Sequence, residues 1–189
     1  SSMSAPAAMP VSSGPSPEVI EFCECLKGES KAEGVPRAST SVMVSACKRG
    51  YLSVCRRLIT LGVCEDVNKV LTPNGSTALH LAASHGYFGL ARYLVTEAGA
   101  KVNEARPTDG ISPIYFAAGY GYLDVVRFLA LEAQANVNQA TTDDGCTPIL
   151  MAAQEGHLDV VRCRALEAQA NVNQATKDGA TPLIVASMK

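Results

Sequence analysis

The stretch from Leu123 to Thr141, LDVVRFLALEAQANVNQAT, returns 35 positions later as LDVVRCRALEAQANVNQAT, Leu158 to Thr176, with seventeen of nineteen residues unchanged. A chain that spells one unit twice at such an offset builds itself by stacking copies, each touching only its neighbours. Weaker copies fall into the same register. STSVMVSACKRGYLSVCRRLITLGV begins at Ser39, STALHLAASHGYFGLARYLVTEAGAKVNE at Ser76, ISPIYFAAGYGYLDVVRFLALEAQANVNQ at Ile111, and CTPILMAAQEGHLDVVRCRALEAQANVNQ at Cys146. A last opening, ATPLIVASMK, starts at Ala180. The leading hydroxyls Ser41, Thr77, Ser112, Thr147 and Thr181 keep the rhythm.

Each copy follows one local logic. Ser112-Pro113, Thr147-Pro148 and Thr181-Pro182 place a hydroxyl N-cap before a proline at the first helical position. A short helix follows, and its paired alanines (Ala117-Ala118, Ala152-Ala153) let a neighbouring helix come close. Gly86, Gly121 and Gly156 end that helix. The second helix, LDVVRFLALEAQ, carries Leu123, Val125, Val126, Phe128, Leu129 and Leu131, a stripe broad enough to pack both back and sideways. The chain then leaves through VNQATTDDG, whose Asp144-Gly145 reads as a turn. Neither helix can bury its face alone, so adjacent units must stack.

These units resemble ankyrin repeats. The segments TALHLAASHG at Thr77, GAKVN at Gly99, TPILMAAQEGHLDVV at Thr147 and TPLIVA at Thr181 match that family's start, alanine pair, glycine turn, V-V helix and V-N exit. The resemblance runs from about Ser39 to the end of the chain. It implies a mainly α solenoid of helix-turn-helix units joined by β-turn or hairpin loops, about four repeats plus a half. The expected array spans 41–189, divided as 41–76, 77–111, 112–146, 147–180 and a partial 181–189. The units depart from the family's length of about 33 residues by running one to three longer. The surplus is expected to lengthen the second helix and its loop. Gln134 and Gln169 stand where the exit glycine is expected.

The two ends read differently. Residues 1–15 are Ser, Pro, Ala and Gly with little to bury, an expected disordered tail. Residues 16–40 are expected to form a capping helix and loop, with Ser16 as N-cap, Pro17 first and Lys27-Gly28 closing. At the other end Arg164 falls where the preceding copy has Leu129, and Cys163 where it has Phe128. A charged residue in a core slot is costly, so this helix is expected to face water on its far side. A piece of a longer array would look the same.

A non-catalytic protein-interaction module is the function this implies. The alternative is a targeting or regulatory segment of a larger enzyme or scaffold. Carried over unit by unit, the family's usual contact positions on the concave face and loop tips are Arg37, Thr40, Lys48 and Arg49; then Asn74, Ser76, Ser84 and His85. Thr108, Asp109, Ile111 and Tyr120 follow, then Asp143, Asp144, Gln154 and Glu155. Tyr120 is the strongest anchor candidate, because tyrosine gives large contact area for little ordering entropy. The surface changes sign along the array. From Arg37 to Cys64 there are five basic residues (Arg37, Lys48, Arg49, Arg56, Arg57) and no acidic one, whereas the fourth unit offers Asp143, Asp144 and Glu155. Such a gradient would orient an extended ligand. His80 is expected to tie loops together through backbone or the Thr77 hydroxyl, and Tyr87, Tyr122 and His157 to share one structural slot.

Other classes find little support. There is no glycine-rich phosphate loop, H-E-x-x-H, G-x-S-x-G or zinc-spaced cysteine set, so neither catalysis nor a cofactor nor a metal is expected. Cys23-x-Cys25 lacks a second pair. The net charge of −2 gives no bulk attraction to nucleic acid, and no apolar run reaches the ~18 residues of a membrane helix. Seven irregularly spaced cysteines read as buried thiols in a reducing compartment, the cytoplasm or else the nucleus. No secretory signal is expected from the polar N-terminus. The partner is expected to be another protein or peptide, bound by a monomer.

Overall fold

The computed structural model describes residues 35–163, 167 and 169–187. The expected tail, the capping helix and Arg164 lie outside them, as do the side chains of residues 35–39, including that of Arg37. Helices come in pairs: α1 (Val35–Arg49) and α2 (Leu52–Thr60), then α3 (Ala78–Ser84) and α4 (Phe88–Thr96). Next are α5 (Pro113–Gly119) with α6 (Leu123–Arg127), and α7 (Pro148–Glu155) with α8 (Leu158–Arg162). The last helix, α9 (Pro182–Ser187), has no described partner in its own unit. The first helices α1, α3, α5, α7 and α9 pack in one row, and α2, α4, α6 and α8 in a second.

Small residues set the spacing. Ala82, Ala83, Ala117, Ala118, Ala152 and Ala153 are all buried, and their small side chains let the first helices approach closely. Between the rows lie Leu79, Leu90, Leu94, Ile114, Val125, Val126, Leu129, Ile149 and Val160, each nearly inaccessible. Complete burial of each such side chain is worth about 1.5–3 kcal/mol.

Helix starts follow the expected chemistry with two departures. Thr147 accepts the Leu150 N–H at 3.4 Å, with Pro148 next in line. Ser112 takes the same backbone position, yet its buried hydroxyl finds no hydrogen-bond partner among the described residues. In the second unit the equivalent Thr77 is completed by His80, whereas the third unit has Tyr115 there. Ser41 lies inside α1 rather than at its start, because the proline that begins this helix is Pro36, five residues earlier.

Neighbouring units are tied at three levels. At the helix turns, Gly50, Gly86 and Gly121 adopt φ of 71°, 72° and 76°. The ring of the next unit covers each: a Cβ on Gly86 would lie 2.5 Å from Tyr122, and one on Gly121 would lie 2.5 Å from His157. The Tyr87 hydroxyl donates to the Lys48 carbonyl at 3.0 Å, and His157 Nε2 bonds the Gly119 carbonyl at 3.0 Å. At the exits, Asn68, Asn103 and Asn138 each accept, through Oδ1, the backbone N–H of Lys101, Asn136 and Asn171, all at 2.7 Å. At the hairpin tips, Thr142 N–H donates to the Asp109 carbonyl and Lys177 N–H to the Asp144 carbonyl, both at 2.9 Å.

The surplus residues do not simply extend the second helices. The first three close in a wide turn, with N–H groups of Val63, Ala98 and Ala133 reaching back five residues to Leu58, Tyr93 and Phe128. In the third unit this widening becomes a π-helical turn over Phe128–Glu132. Gln134 and Gln169 keep the exit conformation of a glycine, at φ 55° and 50°.

Candidate protein-interaction surface

The contact candidates belong to the hairpin loops before the first helices and to the C-terminal ends of those helices. Lys48 and Arg49 close α1 and are exposed, as are Asn74, His85, Tyr120, Asp143, Asp144, Gln154 and Glu155. Ser84, Asp109 and Ile111 are half-buried. Arg56 and Arg57, counted with the basic group, lie on α2 in the other row. There Arg56 pairs with Glu97 at 3.0 Å and covers the Tyr93 ring.

At the centre Tyr120 is 58% exposed, the open end of a layered platform. Its ring is parallel to Phe116, with centroids 6.3 Å apart, and Tyr122 flanks it at 6.2 Å. On Phe116 rests the Arg106 guanidinium, 5.0 Å from the ring centre. Asp109 grips that guanidinium through Nε at 3.0 Å and through a second bond from Nη2. Burial opposes the Asp109 charge, but the Arg106 bonds and the Ile111 N–H outweigh it and hold the carboxyl below its usual range. Asp109 is therefore committed to its own turn. The i,i+3 pair Arg106 and Asp109 was the signal for this platform in the sequence, and Arg106 is the residue that family contact positions miss.

The flanking tips are also built. Asp144 accepts the Thr141 hydroxyl and the Cys146 N–H, which lower its pKa, while Asp143 accepts the Asp144 N–H at 3.0 Å. His85 stacks on Tyr87, with centroids 5.7 Å apart, and its Nδ1 bonds the Leu81 carbonyl at 2.9 Å. His80 is interior: Nε2 meets the Ile111 carbonyl at 3.0 Å, and Nδ1 faces the Thr77 N–H and hydroxyl. A carbonyl only accepts, so the proton sits on Nε2.

A family model described as ankyrin repeats (three copies) matches residues 16–106, 42–141, 92–163 and 114–189. The chain belongs to the ankyrin repeat family. Ankyrin repeats are protein–protein interaction modules and in general carry no catalysis. Over 65 residues, 33% of this chain, the sequence is 40% identical to NF-kappa-B inhibitor alpha of Rattus norvegicus. That match spans 20% of the rat protein's length. Among the described residues, no group of three or more His, Cys, Asp or Glu is placed to hold a metal ion, and no helix is long and apolar enough to cross a membrane.

Proposed function

We propose that this ankyrin array binds a partner protein or peptide, as a monomer, through the face made by its hairpin tips and first-helix ends. The observation that carries this reading is the Tyr120 platform. A large amphipathic ring stands exposed, held from behind by Phe116, Tyr122 and the Arg106–Asp109 pair. Binding to such a surface orders few receptor side chains, so little contact energy is lost to entropy. The ties between units extend that rigidity along the face. Lys48 and Arg49 at one end and Asp143, Asp144 and Glu155 at the other set the direction of an extended ligand. None of the five described cysteines is in a disulfide, which suits a reducing compartment such as the cytoplasm or nucleus.

The test is affinity capture from lysate with the whole chain, beside a variant carrying Lys48→Ala, Arg49→Ala and Tyr120→Ala, with folding checked by circular dichroism. A protein held by the first and lost by the second places binding on this face. Equal retention moves the interface to the α2/α4/α6/α8 row or the N-terminal segment.

A further inference from the structure

The charged end of this face contains a formed cleft. Between the end of α1 and the hairpin of the second unit lies an opening of about 370 Å³ lined by Lys48, Thr72, Pro73, Asn74, Ser76 and Leu81. Its hydrogen bonds leave it with donors to spare. Ser76 N–H donates to the Thr72 hydroxyl oxygen at 2.9 Å, so the Thr72 proton is free to go to Asn74 Oδ1. The Ser76 hydroxyl donates to the same Oδ1 at 3.1 Å. Two hydroxyl donors on one oxygen fix the Asn74 amide, and its Nδ2 protons are then unspent among the described residues. The backbone of this tip is pinned as well, since the Thr108 hydroxyl donates to the Asn74 carbonyl at 3.1 Å.

Lys48 supplies the charge. Its ammonium makes no ion pair among the described residues, whereas its carbonyl is anchored by the Tyr87 hydroxyl. No acidic residue lines the cleft, and Pro73 and Leu81 give it an apolar wall. A cation, a fixed amide donor and an apolar wall together fit a carboxylate on a short hydrocarbon stem. A phosphoryl dianion could also meet Lys48 as a point charge, but the cleft lacks the bidentate guanidinium fork that favours it, and the apolar wall matches methylenes rather than phosphoryl oxygens.

We propose that this cleft receives a glutamate side chain of a partner peptide, with the carboxylate on Lys48 Nζ and Asn74 Nδ2 and the methylenes against Pro73 and Leu81. This rests on the reading that the hairpin-tip face binds partners, and it gives the ligand's acidic residue a definite address. One acidic residue over the first two units places any basic residue of the same peptide toward Asp143, Asp144 and Glu155, the complementary direction.

The probe is the peptide acetyl-Ala-Ala-Glu-Ala-Ala-amide, titrated into the ¹⁵N-labelled full chain, with its glutamine counterpart as control. The expected result is saturable shifts of the Asn74 side-chain amide and the Ser76 backbone amide, at least fivefold weaker with the glutamine peptide. Lys48→Gln is expected to abolish them and Lys48→Arg to restore them in part. No saturable shift at Asn74 and Ser76, equal response to both peptides, or indifference to Lys48→Gln overturns the proposal. Partner capture separates the two readings: if Tyr120→Ala loses the partner while the titration fails, the cleft falls and the face stands. If capture survives every change on the face, the face reading itself falls.

Discussion

His80 spends both ring nitrogens inside the fold, one on the start of its own helix and one on the Ile111 carbonyl at the far end of the unit. Burial is the main cause that lowers its pKa from 6.5 to about 4. The unfolded chain therefore takes up a proton below about pH 6.5 that the folded chain refuses until about pH 4. The stabilisation is complete above the unfolded value and declines as pH falls between the two, by about 3 kcal/mol in all. The urea midpoint is expected to drop steeply from pH 7 to pH 4.5, and much less steeply in His80→Gln. Chemical denaturation at several pH values reads this, and an unchanged slope in the variant would remove the assignment. In the sequence His80 was legible as a tie, because the threonine three residues before it supplies half of the arrangement. Asp109 was less legible: its i,i+3 spacing from Arg106 hints at the pair, but only the fold shows the carboxylate committed to that arginine rather than to a partner. Nor could Ser112 be separated from Thr147: both hydroxyls start helices, and only the packed neighbours leave one unsatisfied.

Between elements, the exit asparagines do work that periodicity does not reveal. Asn103 accepts the Asn136 N–H at 2.7 Å and so fastens the second unit to the third. One such bond is worth about 1 kcal/mol net. Asn103→Ala is expected to cost about that amount in urea unfolding, and Asn103→Asp, which keeps the acceptor oxygen, clearly less. Equal losses in the two would mean that the bond is not what matters there. The V-N exit was visible in the sequence as a family match. The bond was hidden because its donor is a backbone N–H 33 residues away, which carries no side-chain signature. Helix boundaries show a similar limit. The surplus residues suggested longer second helices, but a hydrogen bond reaching back five residues absorbs an extra residue by widening the last turn. Ser41, with no proline after it, likewise lets α1 run through from Pro36.

For the molecule as a whole, energy is unevenly shared along the stack. Ile149 of α7 is fully buried between neighbours, while its equivalent Leu183 of α9 stands 77% exposed. Ile149→Ala is expected to cost roughly 3 kcal/mol and Leu183→Ala under about 0.5 kcal/mol. Denaturation of the two variants checks this, and amide exchange should find α9 opening well before α5 and α7. The stacked architecture was legible because one period recurs in every unit. The proposed binding face was legible only as positions, because copying preserves the seams while Tyr120 and Glu155, its equivalent one unit on, differ. The seams also bear on how such a chain can change. Asn68, Asn103 and Asn138 stand 35 residues apart, and each accepts from an amide two residues ahead of the next exit asparagine, Asn103, Asn138 or Asn173. Any block of 35 residues thus contains both halves of a seam, wherever its ends are drawn. In-frame duplication of such a block inserts a unit that fits both neighbours at once, so recombination within the coding sequence can lengthen the array in a single event.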